Sequence, residues 1–255
     1  MTNIRKPIDL YKKLPRTNCG RCPSGSCMAF AVQVLRKMTP LSGCRELNET
    51  LKMQIEEMLS DSGDWKEIRF KELLDEISAS GFSTMPRGTG ALVKDDTLKI
   101  YYIGREITLG WSGFNVPLDI MDRLLILMYL RQAGSGALSG MWTAFRDFKD
   151  GLIRSESFHE ACEIPLAKMF EHNEDLVLKS LTEAGAEKVK GFSTDYSYVI
   201  NALPNLPMLV LMWPADEEFG ADCKVLLDSS ATEFLDIEAL LYLGMALVRH
   251  VRGRG

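Results

Sequence analysis

Four cysteines near the start of the chain, Cys19, Cys22, Cys27 and Cys44, form a C-x2-C-x4-C-x16-C array. Thiolates are soft ligands, and four of them are the usual anchors of an iron–sulfur cluster. Three of the sulfurs lie within one loop and the fourth returns from beyond a helix, so all four can converge on one centre. Gly20 lets the backbone turn tightly between Cys19 and Cys22. Pro23-Ser24-Gly25-Ser26 then carries the chain round to Cys27, and Ser26 caps an expected helix over Cys27–Lys37. That cap places Cys27 at a positive helix end, which favours thiolate over thiol. Thr39-Pro40-Leu41-Ser42-Gly43 breaks the helix and brings back Cys44. A tetrahedral zinc site also accepts four thiolates. Structural zinc sites usually draw on paired C-x2–4-C knuckles, however, and the single pair here favours the cluster.

The other chemistry-bearing residues are scattered. Asp216-Glu217-Glu218 could hold a hard cation or serve as acid and base, but three adjacent carboxylates between strands suit a solvated turn better. Cys162, Cys223, His159, His172 and His250 define no site, although His159 and Cys162 would share a helix face. The glycine-rich stretch from Gly134 to Gly140 follows a helix rather than a strand and lacks a P-loop ending, so it is expected to be a flexible connection. Trp111, Trp142 and Trp213 could line a cofactor pocket, but aromatics at helix–sheet contacts are usually core. Neither a Gly-x-Ser-x-Gly elbow nor a His-Glu-x-x-His helix occurs in the sequence.

Hydrophobic periodicity supplies the elements that must position these residues. Helices are expected over Glu46–Leu59 and Trp65–Ser78, divided by Asp61-Ser62-Gly63-Asp64. Ala91–Val93, Thr97–Ile103 and Glu106–Leu109 form a β-meander, and Pro117–Leu130 is an apolar helix. Met141–Phe148 is expected to be extended, with helices between Ser157 and Ala184. A second strand block covers Glu187–Val189, Tyr196–Asn201, Met208–Trp213 and Cys223–Leu227, and Asp236–Val251 closes the chain as a helix. Strands grouped apart from helices predict an α+β fold with largely antiparallel strands, preceded by a small loop-plus-helix cluster module. The expected organisation is a cluster module at 1–45, a helical connector at 46–80 and an α+β domain at 81–255.

At 255 residues, with 46% hydrophobic and 25% charged residues, the composition is that of an ordinary folded protein. Arg5, Lys6 and Asp9 with no apolar run argue against a secretory signal, and the most apolar stretches are too short to span a bilayer. A cytoplasmic, reducing setting follows, in which clustered cysteines are metal ligands before they are disulfides. The net charge of −5 hides an asymmetry, since residues 1–45 carry nine Lys and Arg against one Asp. Nucleic acid is not the expected partner, because the segment lacks the aromatic interleaving of single-strand readers. Cations beside an anionic cluster stabilise it, and they suit an acidic protein partner.

Residues Ile8–Cys22, then Cys27-Met28-Ala29-Phe30-Ala31 and Cys44, resemble the N-terminal module of the corrinoid/iron–sulfur protein large subunit of the acetyl-CoA decarbonylase/synthase complex. The resemblance covers about the first 45 residues and implies a [4Fe–4S] cluster on Cys19, Cys22, Cys27 and Cys44 that exchanges single electrons with a corrinoid protein. Pro23-Ser24-Gly25-Ser26 departs from the family's usual loop, which bears on hydrogen bonding to the cluster rather than on ligation. The remainder resembles an uncharacterised domain family through Trp213–Phe219 and Leu226–Ala231, and that resemblance transfers no activity. The expectation is a cluster-binding electron-transfer protein with a redox partner, a corrinoid protein or a ferredoxin, in anaerobic one-carbon metabolism. The alternatives are a redox enzyme with an active site in the C-terminal domain fed by the cluster, and a cluster-based regulatory or scaffold protein.

Overall fold

The computed structural model describes residues 4, 6–36, 38–60, 65–82, 87–132 and 137–253. The chain forms two compact units, Met1–Arg69 and Phe70–Gly255. The expected breaker at 61–64 and the first glycines of the 134–140 stretch lie outside the described residues. Among the described residues no helix is long and apolar enough to cross a membrane.

The first unit contains α1 (Pro7–Tyr11), α2 (Cys27–Leu35), a 3-10 turn at Leu41–Gly43 and α3 (Glu49–Ser60), and α4 (Trp65–Ser80) runs across the division. Its small core joins Leu10 and Leu14 to Phe30, Ala31, Leu41 and Ile55. Two of the cysteines, Cys27 and Cys44, are buried within that core. Helix α3 starts later than its hydrophobic pattern suggests, because the Asn48 side chain accepts a hydrogen bond from Leu51 N at 2.8 Å and acts as its cap.

The second unit is mixed α+β with two antiparallel sheets. The first is the expected meander, β1 (Leu92–Lys94), β2 (Thr97–Tyr102), β3 (Arg105–Gly110) and β4 (Gly113–Phe114). Its hairpins turn on Asp95-Asp96 and Ile103-Gly104, all four at positive φ, the geometry whose twist matches right-handed strands. At Gly104 the choice of residue is forced twice. Its φ is +73°, and a Cβ there would stand 2.5 Å from the backbone of Ala184.

The second sheet runs β5 (Trp142–Ala144), β9 (Asp222–Asp228), β8 (Leu206–Trp213), β7 (Tyr196–Leu203) and β6 (Glu187–Lys188). Central strand β8 is buried along nearly its whole length, so it is apolar without alternation. The helices of this unit are α5 (Ile120–Gln132), α6 (Gly151–Phe158), α7 (Ile164–His172), α8 (Glu174–Glu183), α9 (Ala231–Phe234) and α10 (Ile237–Arg252). A single core unites Leu124–Leu127 and Tyr129 of α5 with β8 and with Leu240, Leu243 and Leu247 of α10.

Three further local expectations differ from the structure. Helix α5 begins at Ile120 rather than Pro117, since Asp119 accepts from Met121 N at 2.8 Å and sets the start. The 141–148 segment is a strand only to Ala144. A 3-10 turn then swings Phe145 onto Phe158, with ring centroids 4.2 Å apart. Between α6 and α7 the helix loosens into a π turn at His159–Glu163, which breaks the 3.6-residue period. His159 and Cys162 therefore do not share a face: His159 reaches the surface, and Cys162 is fully buried 3.8 Å beneath the Leu241 carbonyl.

Candidate metal centre

The loop that presents the cysteines is shaped by local sequence. After Pro15 the backbone enters the left-handed region at Arg16, Asn18 and Gly20, alternate residues that coil it tightly ahead of Cys22. Glycine and asparagine tolerate that conformation; Arg16 is strained there. Asn18 also reaches across the loop, and its Oδ1 accepts a hydrogen bond from Cys27 N at 2.8 Å. Ser26 Oγ accepts from Ala29 N at 3.1 Å, the expected cap of α2. Two of the orphan donors at the helix start are thereby satisfied. Buried Ser24 donates its hydroxyl to Gln33 Oε1 at 2.6 Å, pinning the Pro23–Ser26 loop to the helix it precedes. The helix ends at Leu35, and the 3-10 turn Leu41–Gly43 delivers Cys44, whose N–H donates to Leu41 O at 3.1 Å.

All four expected ligands, Cys19, Cys22, Cys27 and Cys44, line one pocket together with Asn18, Arg21, Arg45 and Glu46. Cys27 and Cys44 are buried at its base, Cys22 is half-buried, and Cys19 is exposed. None of the four is in a disulfide, and Cys22 Sγ lies 3.4 Å from Ser24 O as a weak donor. Four soft donors around a common pocket at the N-terminal end of α2 are chemically suited to an iron–sulfur group. Arg21 Nη1 pairs with Glu46 Oε1 at 2.7 Å on the rim.

The second unit brings together few of its candidate residues. Asp216 accepts from Glu218 N and Phe219 N, both at 2.8 Å, and these backbone donors lower its pKa; the segment is an exposed turn. Trp111 stacks on Phe82 with centroids 4.5 Å apart, and Trp213 donates its indole N–H to Ser193 O at 3.3 Å. Burial, with the Glu163 charge adding to it, pushes the Cys162 thiol up to about 12, and Cys223 is raised well above its ordinary range by the same two causes in the same order. Neither is poised as a thiolate.

Sequence reasoning missed two carboxylate networks. Asp228 Oδ1 accepts from Ser139 N and Oγ and from Ser230 N and Oγ at 2.6–3.0 Å, while its Oδ2 accepts from Gly140 N at 2.8 Å. The end of the glycine-rich stretch is thus anchored to the sheet rather than free. Glu163, on the π turn, accepts from Val225 N at 3.1 Å, Lys224 Nζ at 3.0 Å and bonds His159 Nδ1 at 2.7 Å. Adjacent serines after Asp228 were the available signal for the first network. A mid-helix glutamate offers none.

Residues 82–250 match the model of a family described as "Domain of unknown function (DUF3786)". Residues 14–45, which contain all four cysteines, match one described as "Putative Fe-S cluster". The same end of the chain is similar to proteins named acetyl-CoA decarbonylase/synthase complex subunit gamma. The protein of Methanothermobacter thermautotrophicus is 34% identical over 80 residues, which is 31% of this chain and 17% of that protein. The protein of Archaeoglobus fulgidus is 40% identical over 63 residues, 22% of this chain and 13% of that one. The protein of Methanocaldococcus jannaschii is 44% identical over 57 residues, 21% and 12% respectively. The chain therefore spans less than a fifth of the length of these curated relatives. No solved structure matches it. An N-terminal iron–sulfur module thus precedes a DUF3786 domain.

Proposed function

The chain belongs to the DUF3786 family, and we propose that it is a [4Fe–4S] protein that passes single electrons to or from a protein partner. Cys19, Cys22, Cys27 and Cys44 are the ligands, and the observation that carries this reading is their placement around one pocket at the start of α2. When bound, the cluster supplies a one-electron couple. The chain's own residues do the rest. Asn18 and Ser26 hold the loop against the helix, and buried Cys27 and Cys44 fix the inner side of the site. Exposed Cys19 marks the side open to a partner. Exposed Arg21 and Arg45 line the same pocket and favour an acidic docking surface.

The relatives are named as subunits of an acetyl-CoA decarbonylase/synthase complex, which supports a protein partner and a setting in one-carbon metabolism. The resemblance of the cysteine module extends the proposal to a corrinoid protein or ferredoxin as that partner, in anaerobic metabolism in the cytoplasm. A second reading, a redox enzyme whose substrate site lies in the DUF3786 domain, is favoured by a cleft of about 580 Å³ beside α7.

Anaerobic purification, iron and sulfide analysis, and EPR of the dithionite-reduced protein test the cluster. The expected result is a cubane signal with four irons per chain, lost when any one of the four cysteines becomes alanine. One zinc and no iron after anaerobic reconstitution overturns it. Electron transfer is overturned separately if the reduced, cluster-loaded protein reduces neither class of partner.

A further inference from the structure

The cleft in the second unit is built between α7, α8 and the C-terminal end of α10. At about 580 Å³ it is the size of an ordinary small-molecule site. Helix α7 explains why it exists. Leu166, Ala167 and Phe170 face the core, while Ile164, Pro165 and Met169 form a second apolar face that stays only half-buried. Leu176 of α8 and Val251 of α10 complete the apolar lining. The helix thus presents apolar surface on two sides: one is covered by the chain's own core, and the other only in part, through Met169.

The rim carries charge of one predominant sign. The cations Lys168 and Arg252 line it with the imidazole of His172, against the single carboxylate of Glu160. Among the described residues neither Lys168 nor Arg252 forms a salt bridge, whereas Lys224, Arg154 and Arg249 of the same unit each hold a carboxylate at 3.0 Å or less. The π turn that ends at Glu163 leads directly into this helix, and such turns recur at functional sites.

We propose that this cleft binds a small amphiphilic anion, with its apolar body against Ile164, Met169 and Leu176 and its carboxylate or phosphate head at Lys168 and Arg252. The cations supply the specificity. A neutral apolar molecule would fill the floor yet leave the rim charges to solvent, and a hydrophilic anion would forgo the apolar lining. The inference is independent of the cluster, since every residue it uses lies in the second unit.

The full-length chain is titrated by fluorescence and calorimetry with 8-anilinonaphthalene-1-sulfonate and with N-phenyl-1-naphthylamine, which has the same aromatic body without the sulfonate. The sulfonate should bind with one-to-one stoichiometry and tighter than the neutral probe. Lys168→Glu with Arg252→Glu should weaken the sulfonate about tenfold, two partly screened ion pairs being replaced by repulsion, and leave the neutral probe within about twofold. Met169→Trp, which fills the floor, should weaken both. Far-UV circular dichroism checks folding, and Lys168→Gln with Arg252→Gln serves if the reversed pair does not fold. Equal affinity for the two probes, or sulfonate binding indifferent to both the charge changes and Met169→Trp, overturns the proposal. Competition with decanoate and decyl phosphate below their self-association separates a carboxylate head from a phosphate one, and failure of both to displace the probe also overturns it.

Discussion

The side chain of Asn18 performs two tasks at once, and its replacement separates them. It accepts Cys27 N–H at 2.8 Å, and it occupies the left-handed region at φ 47°. Asn18→Ala removes the acceptor from a donor at the start of α2, which costs about 1–2 kcal/mol. It also places a Cβ-bearing residue without a local polar side chain in a left-handed conformation, for about 1 kcal/mol more. Together, about 2–3 kcal/mol corresponds to a loop that opens between about thirtyfold and about 150-fold more often. Asn18→Gly loses only the hydrogen bond and should fall near tenfold; Asn18→Asp keeps both acceptor and backbone preference and should hold the loop closed. Amide hydrogen exchange at Cys27 in the metal-free chain reads the opening directly, and iron loss to a chelator reads it in the loaded chain. Wild-type exchange in Asn18→Ala would refute the bridging role. Equal effects of alanine and glycine would refute the backbone contribution.

Asp228→Asn should destabilise the second unit by about 2–4 kcal/mol at pH 7, because the amide loses the charge and turns a donor towards Gly140 N–H. Burial pushes Asp228 up, but the hydrogen bonds from Ser230 and Ser139 together outweigh it and hold the carboxyl far below its usual range. Its stabilisation is thus complete above the unfolded-state value of about 3.9 and is lost as the pH falls towards the folded one. Urea melts followed by Trp fluorescence, with Trp142 paired to Asp228 across β5 and β9, should show the gap at pH 7 shrinking by pH ~3. Gly104→Ala should cost about 2–4 kcal/mol, since it adds a 2.5 Å approach to Ala184 to the positive φ, while Gly140→Ala at φ 72° meets nothing within 4 Å and should cost about 1 kcal/mol; equal thermal shifts would contradict this. Glu46→Gln should raise the cluster's reduction potential by tens of millivolts and Arg21→Gln should lower it, since the added electron is disfavoured by a nearby anion and favoured by a nearby cation, both partly screened by solvent. A redox titration reads the sign. Cys162→Ala with Cys223→Ala should leave the iron content unchanged, both thiols being buried and held protonated.

The parts of the molecule that could be read from sequence are those whose causes are local. Ser26 as a cap, the meander across Asp95-Asp96 and Gly104, and the helix capped by Asp236 each rest on residues adjacent in the chain. The cysteine array belongs with them, because its spacing alone limits the loop that can carry it. What escaped depends on residues brought together from afar. Glu163 binds Lys224 and Val225 some sixty residues away, and Asp228 binds Ser139 nearly ninety residues away. The π turn escaped for a related reason. Its extra residue is stabilised by where Cys162 and Glu163 end up, on α10 and β9, rather than by any propensity of the five residues themselves.

The two units handle their reactive groups in opposite ways, and this divides the chemistry between them. In the second unit the well-placed carboxylates are already engaged. Asp228 takes five donors, Glu163 takes three partners, and Asp122 accepts from Tyr102 Oη at 2.7 Å and Arg249 Nη2 at 2.6 Å. Through these bonds the three carboxylates brace the sheet and helices. In the first unit the reverse holds: Asn18 and Ser26 as acceptors and Ser24 as a donor fix the loops, while the four sulfurs they position stay largely uncommitted. Uncommitted groups are where binding can occur. By that criterion the soft donors around Cys19 are where the proposed cluster would sit, and Lys168 and Arg252, which form no salt bridge among the described residues, are where the proposed anion would bind.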